Sequence, residues 1–315
     1  MLDQLVNSDA LKISRFPDFD HFRSIEKLGD ARSIPLRWKD FDPCVAAVTL
    51  GSCSIFLQRT FPRILQARYR SPGAIICVAM DDAVSAILDG VEARPPSLLL
   101  IKGEAACELV EPQANLLAFI IVNSIEYRDW PGEAGCAQLV ATRPADMAVL
   151  RSVVREILLF ASNFPELMLQ PHAIGYIEES LLGALDRVLS DPSLRDGAAR
   201  ADFGIYLRMV RRLDEFLQHD TAQPIQSADI ARQFGVSVRT LNNAVETIRG
   251  LSLRRYVGLR RLWNVRQQLV QGASAERVKA IALANGFWHM GEFRTVYREI
   301  FGETPQQTLD GSRRE

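Results

Sequence analysis

The arrangement that most constrains this chain lies toward its carboxy terminus, where a short helix, a glycine turn and a second helix are written twice. In the first copy, Ser227 to Phe234 has the composition of a short helix, Gly235-Val236-Ser237 turns the chain, and Val238 to Val245 begins a second helix. Each residue type has a mechanical reason for its place. Ala231 is small enough for the next helix to approach, Gly235 accepts a left-handed backbone, Val236 fills the corner and Ser237 is placed to cap the second helix. A single copy would also suit an ordinary helical hairpin. The second copy runs from Glu276 to Asn285, turns at Gly286-Phe287 and continues as a helix from His289 to Phe301, with Phe293, Val296, Tyr297 and Ile300 expected inward. Between the copies, Leu253, Tyr256, Val257, Leu262, Val265 and Leu269 recur at helical spacing. They predict one long connecting helix, which also carries Arg254, Arg255, Arg260, Arg261 and Arg266. Two helix-turn-helix modules on such a rod would present their second helices to successive major-groove faces, about 34 Å apart.

Charge divides along the same line. Residues 1–205 hold 20 Lys and Arg against 27 Asp and Glu, a net −7, whereas residues 206–315 hold 17 against 11, a net +6. A basic segment joined to an acidic one points to a polyanionic partner for the basic part.

Residues 45–122 obey a different rule. Val45 to Val48, Ser54 to Leu57, Ala74 to Val78, Leu98 to Ile101 and Leu116 to Val122 are short apolar runs that read as strands, with turns expected at Pro72-Gly73, Asp89-Gly90 and Lys102-Gly103. No helical period interrupts them, so a cupin-like barrel or sandwich is expected rather than a βαβ sheet. From Pro144 the period changes. Met147, Leu150, Val153, Val154, Ile157 and Leu158 stripe one helix, and Ile174, Ile177, Leu181, Leu182, Leu185, Val188 and Leu189 stripe a second. Two such helices suit packing on the barrel or self-association. The polar stretch from Ser190-Asp191-Pro192 to Asp196-Gly197 ends the period and is the linker candidate. Phe203, Leu207, Val210, Leu213 and Phe216 then open the helical region. The expected fold is thus two-domain α+β: residues 1–190 as a β-rich sensing or dimerisation domain with two helices at its end, residues 191–200 as linker, and residues 201–315 all-α.

Several function classes are disfavoured. With 315 residues, 48% hydrophobic and 24% charged, the chain has the composition of a globular protein, and no apolar run reaches membrane-span length. The start, Met1-Leu2-Asp3-Gln4, lacks a secretory pattern, which suggests a cytoplasmic protein. The five cysteines form no C-x-x-C pair and read as small buried hydrophobes. A metal-dependent small-barrel enzyme would need clustered ligands, yet the four histidines are His21, His172, His219 and His289, none within the strand-rich region. Neither a catalytic triad nor a phosphate loop is evident, so no catalytic residue, metal or cofactor is expected. Trp38, Arg59, Tyr69, Arg70 and Trp130 are residue types that line pockets for organic acids, but nothing in the sequence brings them together.

The carboxy-terminal third resembles the DNA-binding domain of the AraC/XylS family of bacterial transcription regulators. The likeness is carried by Ile230-Ala231 through Ser237-x-Arg239-Thr240-Leu241, by Leu253-x-x-Tyr256-Val257-x-x-x-Arg261-Leu262, and by Ile281-Ala282-x-x-x-Gly286-Phe287 to Phe293-x-x-x-Tyr297 and Phe301-Gly302-Glu303-Thr304-Pro305. The resemblance implies that double-stranded DNA is the partner, with Arg239, Asn242, Asn243, His289, Met290, Arg294 and Thr295 as base contacts. It places Ser237, Thr240, Arg254, Arg255, Arg260, Arg261 and Arg298 at phosphates. It also implies a homodimer, contact with RNA polymerase, and an amino-terminal domain that binds a small-molecule effector or, alternatively, only dimerises or binds a protein partner. One departure stands out. Where the family carries basic and aromatic residues after the leucine, this chain has Asn242-Asn243-Ala244-Val245-Glu246, and Glu246 would repel a nearby phosphate.

Overall fold

The computed structural model describes residues 1–18, 22, 29–39, 41–168, 170–190, 203–219, 226–271 and 278–312. Its contacts divide the chain into two compact units. One comprises Met1–Ser33, Phe41–Leu88 and Glu92–Ala199; the other comprises Ile34–Asp40, Asp89–Val91 and Arg200–Glu315. The expected linker, residues 191–200, lies outside the described residues, as do Glu276 and Arg277 of the second short helix.

The first unit is a strongly bent antiparallel sheet that forms a half-barrel. Its strands are β1 (Lys12–Arg15), β2 (Gly29–Pro35), β3 (Cys44–Leu50), β4 (Cys53–Arg59), β5 (Arg63–Ala79), β6 (Ile87–Leu88), β7 (Val91–Glu92), β8 (Ser97–Glu111), β9 (Leu116–Val122) and β10 (Ala137–Ala141). The order is β1-β3-β4-β9-β5-β8-β6-β7, with β10 on β8 and β2 on β5. Alternate residues along the strands serve two cores. Ile55, Ile76, Leu100 and Ile120 face helices α1 (Pro144–Asn163) and α3 (Pro171–Leu189), where Leu150, Val154, Leu158, Leu181 and Leu185 meet them. Ile75, Leu99, Phe119 and Ile121 face the other way, against Leu65, Tyr69 and Leu109. Burial of both faces explains why these strands read as unbroken apolar runs rather than as alternating ones.

Two of the expected turns are not turns. The backbone passes through Pro72-Gly73 inside β5, where the pairing with β8 shifts register between Arg70 and Ala74. Gly73 is needed there because a Cβ would lie 1.9 Å from the Val122 carbonyl oxygen. Lys102-Gly103 likewise sits inside β8, with Gly103 at φ +68°. Proline-glycine and lysine-glycine pairs suit a bulge as well as a turn, and long strands that must curve use bulges. Asp89-Gly90 does turn the chain, with φ of +47° and +90°.

The second unit contains the helices α4 (Phe203–His219), α5 (Ser227–Gln233), α6 (Val238–Arg249), α7 (Leu253–Val270), α8 (Val278–Ala284), α9 (Met290–Phe301) and α10 (Pro305–Ser312); α2 (Pro165–Met168) is a single turn in the first unit. Helix α7 is the axis of this unit and contacts α4, α6, α8 and α10. Leu253, Tyr256, Val257, Leu259, Leu262, Trp263, Val265 and Leu269 are all buried along it. No helix among the described residues is long and apolar enough to cross a membrane.

Candidate nucleic-acid interface

Both helix-turn-helix modules are built by the local chemistry that their sequences announce. Helix α5 opens with a capping box, in which the Gln226 side chain and Asp229 satisfy each other's backbone amides. Ala231 and Ile230 are buried against the next helix, and Gly235 takes φ +66°. The Ser237 hydroxyl accepts the Thr240 backbone N–H at 3.0 Å, which caps α6. Gly250, at φ +63°, closes α6. In the second module Gly286 takes φ +83°, the Phe287 N–H reaches the Ala282 carbonyl at 2.9 Å, and the Phe287 and Phe293 rings lie 5.1 Å apart. The buried stripe of α9 is Phe293, Tyr297 and Phe301. Val296, expected inward, is instead 39% exposed, because the helix packs on an i, i+4 stripe rather than an i, i+3 one.

The residues expected to meet DNA differ in their exposure along the two second helices. On α6, Arg239 and Asn243 are exposed. Asn242 is turned away from that role, since its Oδ1 accepts the Leu253 N–H at 3.0 Å and so ties α6 to the start of α7. On α9 and its entry, His289, Arg294, Thr295 and Arg298 are exposed and Met290 is half-buried. The Thr295 hydroxyl donates to the Gly291 carbonyl at 3.1 Å. Glu246 is exposed on α6, as its place in the sequence suggests.

The arginines of α7 separate into two kinds. Arg254 and Arg255 are exposed at its first turn. With Trp288, His289, Glu292 and Val296 they line a cavity of about 570 Å³ between α7 and α9. Arg261 is half-buried, and burial lowers its pKa. Arg260, expected at a phosphate, is 1% exposed, with its Nε 3.5 Å from Asp214. That position corrects the expectation. Asp214 on α4 draws the guanidinium into the core, where Arg249 Nη2 also binds the carboxylate at 2.9 Å and the Tyr256 hydroxyl donates to it. Arg266 is buried in a similar knot with Glu303, Tyr297 and Thr308. These two networks join α4, α6 and α7, and α7, α9 and the start of α10, so the two heads share one rigid frame. Asp214 and Arg249 escape sequence reasoning, because an ion pair buried between two helices leaves no local pattern; Glu303 belongs to the closing motif, but its pairing with Arg266 does not show there.

The five pocket-type residues do not converge on one site. Arg59 is held at the surface by Asp42 and Asp3. Arg70 is exposed beside Asp30 and Glu104, while Tyr69 is buried in the sheet interior. Trp130 lies in the helix-facing core and donates from Nε1 to Asp186 at 2.7 Å. Trp38 belongs to the second unit. No sequence pattern hints at a buried group in which Glu111 accepts from Arg63 at 2.7 Å and from Thr60 at 2.8 Å, with Asn115 at 2.9 Å. The Arg63 guanidinium lies 5.2 Å from the Phe22 ring centroid and 5.4 Å from that of Phe61.

Comparison with known proteins places the match where the geometry does. A family model described as a helix-turn-helix domain matches residues 230–311. The chain is 33% identical over 102 residues to a probable thc operon regulatory protein of Rhodococcus erythropolis, covering 32% of this chain and 31% of that one. It is 29% identical over 147 residues to a XylDLEGF operon transcriptional activator of Pseudomonas putida, covering 46% and 43% respectively. The matched stretch therefore spans less than half the length of either relative. Among solved structures, a probable AraC family transcriptional regulator from Rhodopseudomonas palustris is 31% identical over 33% of this chain and 97% of that chain, with a TM-score of 0.30.

Proposed function

We propose that the chain, which is similar through its carboxy-terminal unit to the AraC/XylS family of bacterial transcription regulators, binds double-stranded DNA sequence-specifically and regulates transcription. The observation that supports this most directly is the pair of helix-turn-helix modules on α7. At 1.5 Å per residue the 18 residues of α7 span about 27 Å, somewhat less than the repeat of the major groove of about 34 Å. In this reading Arg239 and Asn243 on α6, and His289, Met290, Arg294 and Thr295 at α9, meet base edges. Ser237, Thr240, Arg254, Arg255, Arg261 and Arg298 lie at the phosphate flanks. Asn can pair with adenine and Arg with guanine through two hydrogen bonds each, so both heads carry chemistry able to discriminate bases.

The half-barrel unit serves, on this proposal, as the regulatory half, binding a small effector or holding two copies together through α1 and α3. Contact with RNA polymerase and a cytoplasmic location belong to the same reading. It assigns no catalytic step. The test is mobility shift of the full-length chain on its own upstream intergenic DNA, with competitor DNA and a salt series. Specific binding with a steep salt dependence is expected, because neutralising phosphates releases counterions. A chain that binds all sequences equally, or none, would overturn it.

A further inference from the structure

Trp288 stands at the entrance to α9, on the edge of the cavity between α7 and α9. It lies between the Gly286-Phe287 turn and His289, which holds the N-cap position of α9 without a side-chain hydrogen bond, and it is 59% exposed. Among the described residues its indole makes no hydrogen bond and no ring contact. Its backbone is nevertheless firmly mounted, with Phe287 anchored on Phe293 on one side and α9 beginning on the other. Val296, 39% exposed, lines the same cavity as Trp288, so the apolar surface left in water here is a patch rather than a lone side chain, and such a patch is where another molecule is bound. Gly291, in the first turn of α9 that follows Trp288, leaves the backbone bare, as Gly175, Gly183 and Gly258 do on other helices. Its φ is not among the positive ones, and a Cβ there would meet nothing within 4 Å. Glycine weakens a helix by roughly 1 kcal/mol relative to alanine, so the folded chain gains nothing from it. The open space above Gly291 leaves room for a partner to come close to the helix backbone.

We infer that Trp288 is a specificity-determining residue of the second head, packing its indole on a thymine methyl in the major groove while Gly291 lets the helix approach the bases. This rests on the DNA-binding reading above. The amino-terminal residues of a recognition helix are the ones that reach base edges, and the thymine methyl is the groove's apolar feature. Exposed Arg294 and Arg298 on the same helix, with Arg254 and Arg255 beside Trp288 at the cavity, supply positive charge for the phosphates around it.

The experiment uses the full-length chain. Sites are selected from a random duplex library, and the selected site is then resynthesised with uracil replacing each thymine in turn, which removes only the methyl. Wild-type affinity should fall about four- to tenfold at one thymine. Trp288→Ala should lose the same factor on the thymine site, be indifferent to uracil there, and keep the wild-type melting temperature. Gly291→Ala should melt at the same temperature or higher and yet bind more weakly, which a purely structural role would not produce. If Trp288→Ala binds as wild type, or remains sensitive to every uracil, the inference falls while the DNA-binding reading stands. If the wild-type chain selects no motif at all, both fall.

Discussion

The carboxylate of Asp214 lies 2.9 Å from the guanidinium of Arg249, and both side chains are buried. Arg260 shares the same carboxylate, so one buried anion holds two buried cations, and these come from α6 and α7. Removing the anion is far worse than removing either cation. Asp214→Ala should destabilise the second unit by about 3–5 kcal/mol, the usual consequence of an uncompensated buried charge. Urea unfolding monitored by far-ultraviolet circular dichroism would measure it; a loss below about 1 kcal/mol would show that the network contributes little.

The burial of Arg260 separates it experimentally from its neighbours. Arg254→Ala should leave the melting temperature unchanged and lower the slope of log affinity against log salt by about 1, as expected for one lost phosphate contact. Arg260→Met should do the reverse, changing stability and leaving the slope alone. Equal slopes for the wild type and Arg254→Ala would remove Arg254 from the interface.

How much of the fold and the interface is legible in the chain alone depends on the range of each interaction. Gly235, Ser237 and Gly286 announce their turns because a left-handed backbone and a helix cap are local requirements that few residues meet. The apolar stripes of α1 and α3 are legible for the same reason. Arg254, Arg255, Arg260 and Arg261 are indistinguishable in sequence, and Asp214, on a different helix, decides which of them is buried. Asn242 is similar, since its partner is the backbone of Leu253 across a turn. Strands β1, β2 and β10 escape a reading of apolar runs because Lys12–Arg15, Gly29–Pro35 and Ala137–Ala141 are short or polar and are defined by their partners. In the half-barrel no residue pattern reveals a site, because side chains that fill an interior and side chains that line a cavity are the same residues.

Alkaline pH should weaken the second unit through Tyr297. Burial pushes its phenol up from 10.0 to about 12, against the opposing pull of Arg266 and a hydrogen bond from Thr308. Since the folded chain holds this proton more tightly than the unfolded chain, its contribution is complete below about pH 10 and is lost as pH rises toward about 12. The decline should amount to roughly 2–3 kcal/mol. Tyr256, raised further by burial, should add to it. Urea midpoints measured across this window should fall for the wild type and fall less for Tyr297→Phe.

Cys44, Cys53, Cys77 and Cys107 are buried, and Cys136 is half-buried. Burial pushes the Cys53 thiol up to about 11 and raises Cys77 further. A brief maleimide pulse on the native chain at neutral pH should therefore modify Cys136 first, with the other four reacting only after denaturation. Peptide mapping that found Cys53 or Cys77 labelled within the same pulse would mean that the sheet opens far more readily than its packing implies.

Glu246 offers the sharpest test of how the first head meets DNA. It is exposed in the third turn of α6, with Asn243 and Arg239 exposed one and two turns before it. If α6 enters a major groove, a carboxylate there stands near a phosphate and opposes binding on every sequence alike. Glu246→Gln removes the charge with little change of shape, so affinity for cognate and random DNA should rise together, by about two- to fivefold at low salt, and the gain should shrink as salt screens it. Glu246→Lys should go further and steepen the salt slope. A gain confined to the cognate site would instead mean that Glu246 faces a base edge, where a carboxylate accepts from cytosine N4, and that the first head reads sequence at this position. No change in either variant would place α6 away from the duplex and leave recognition to α9.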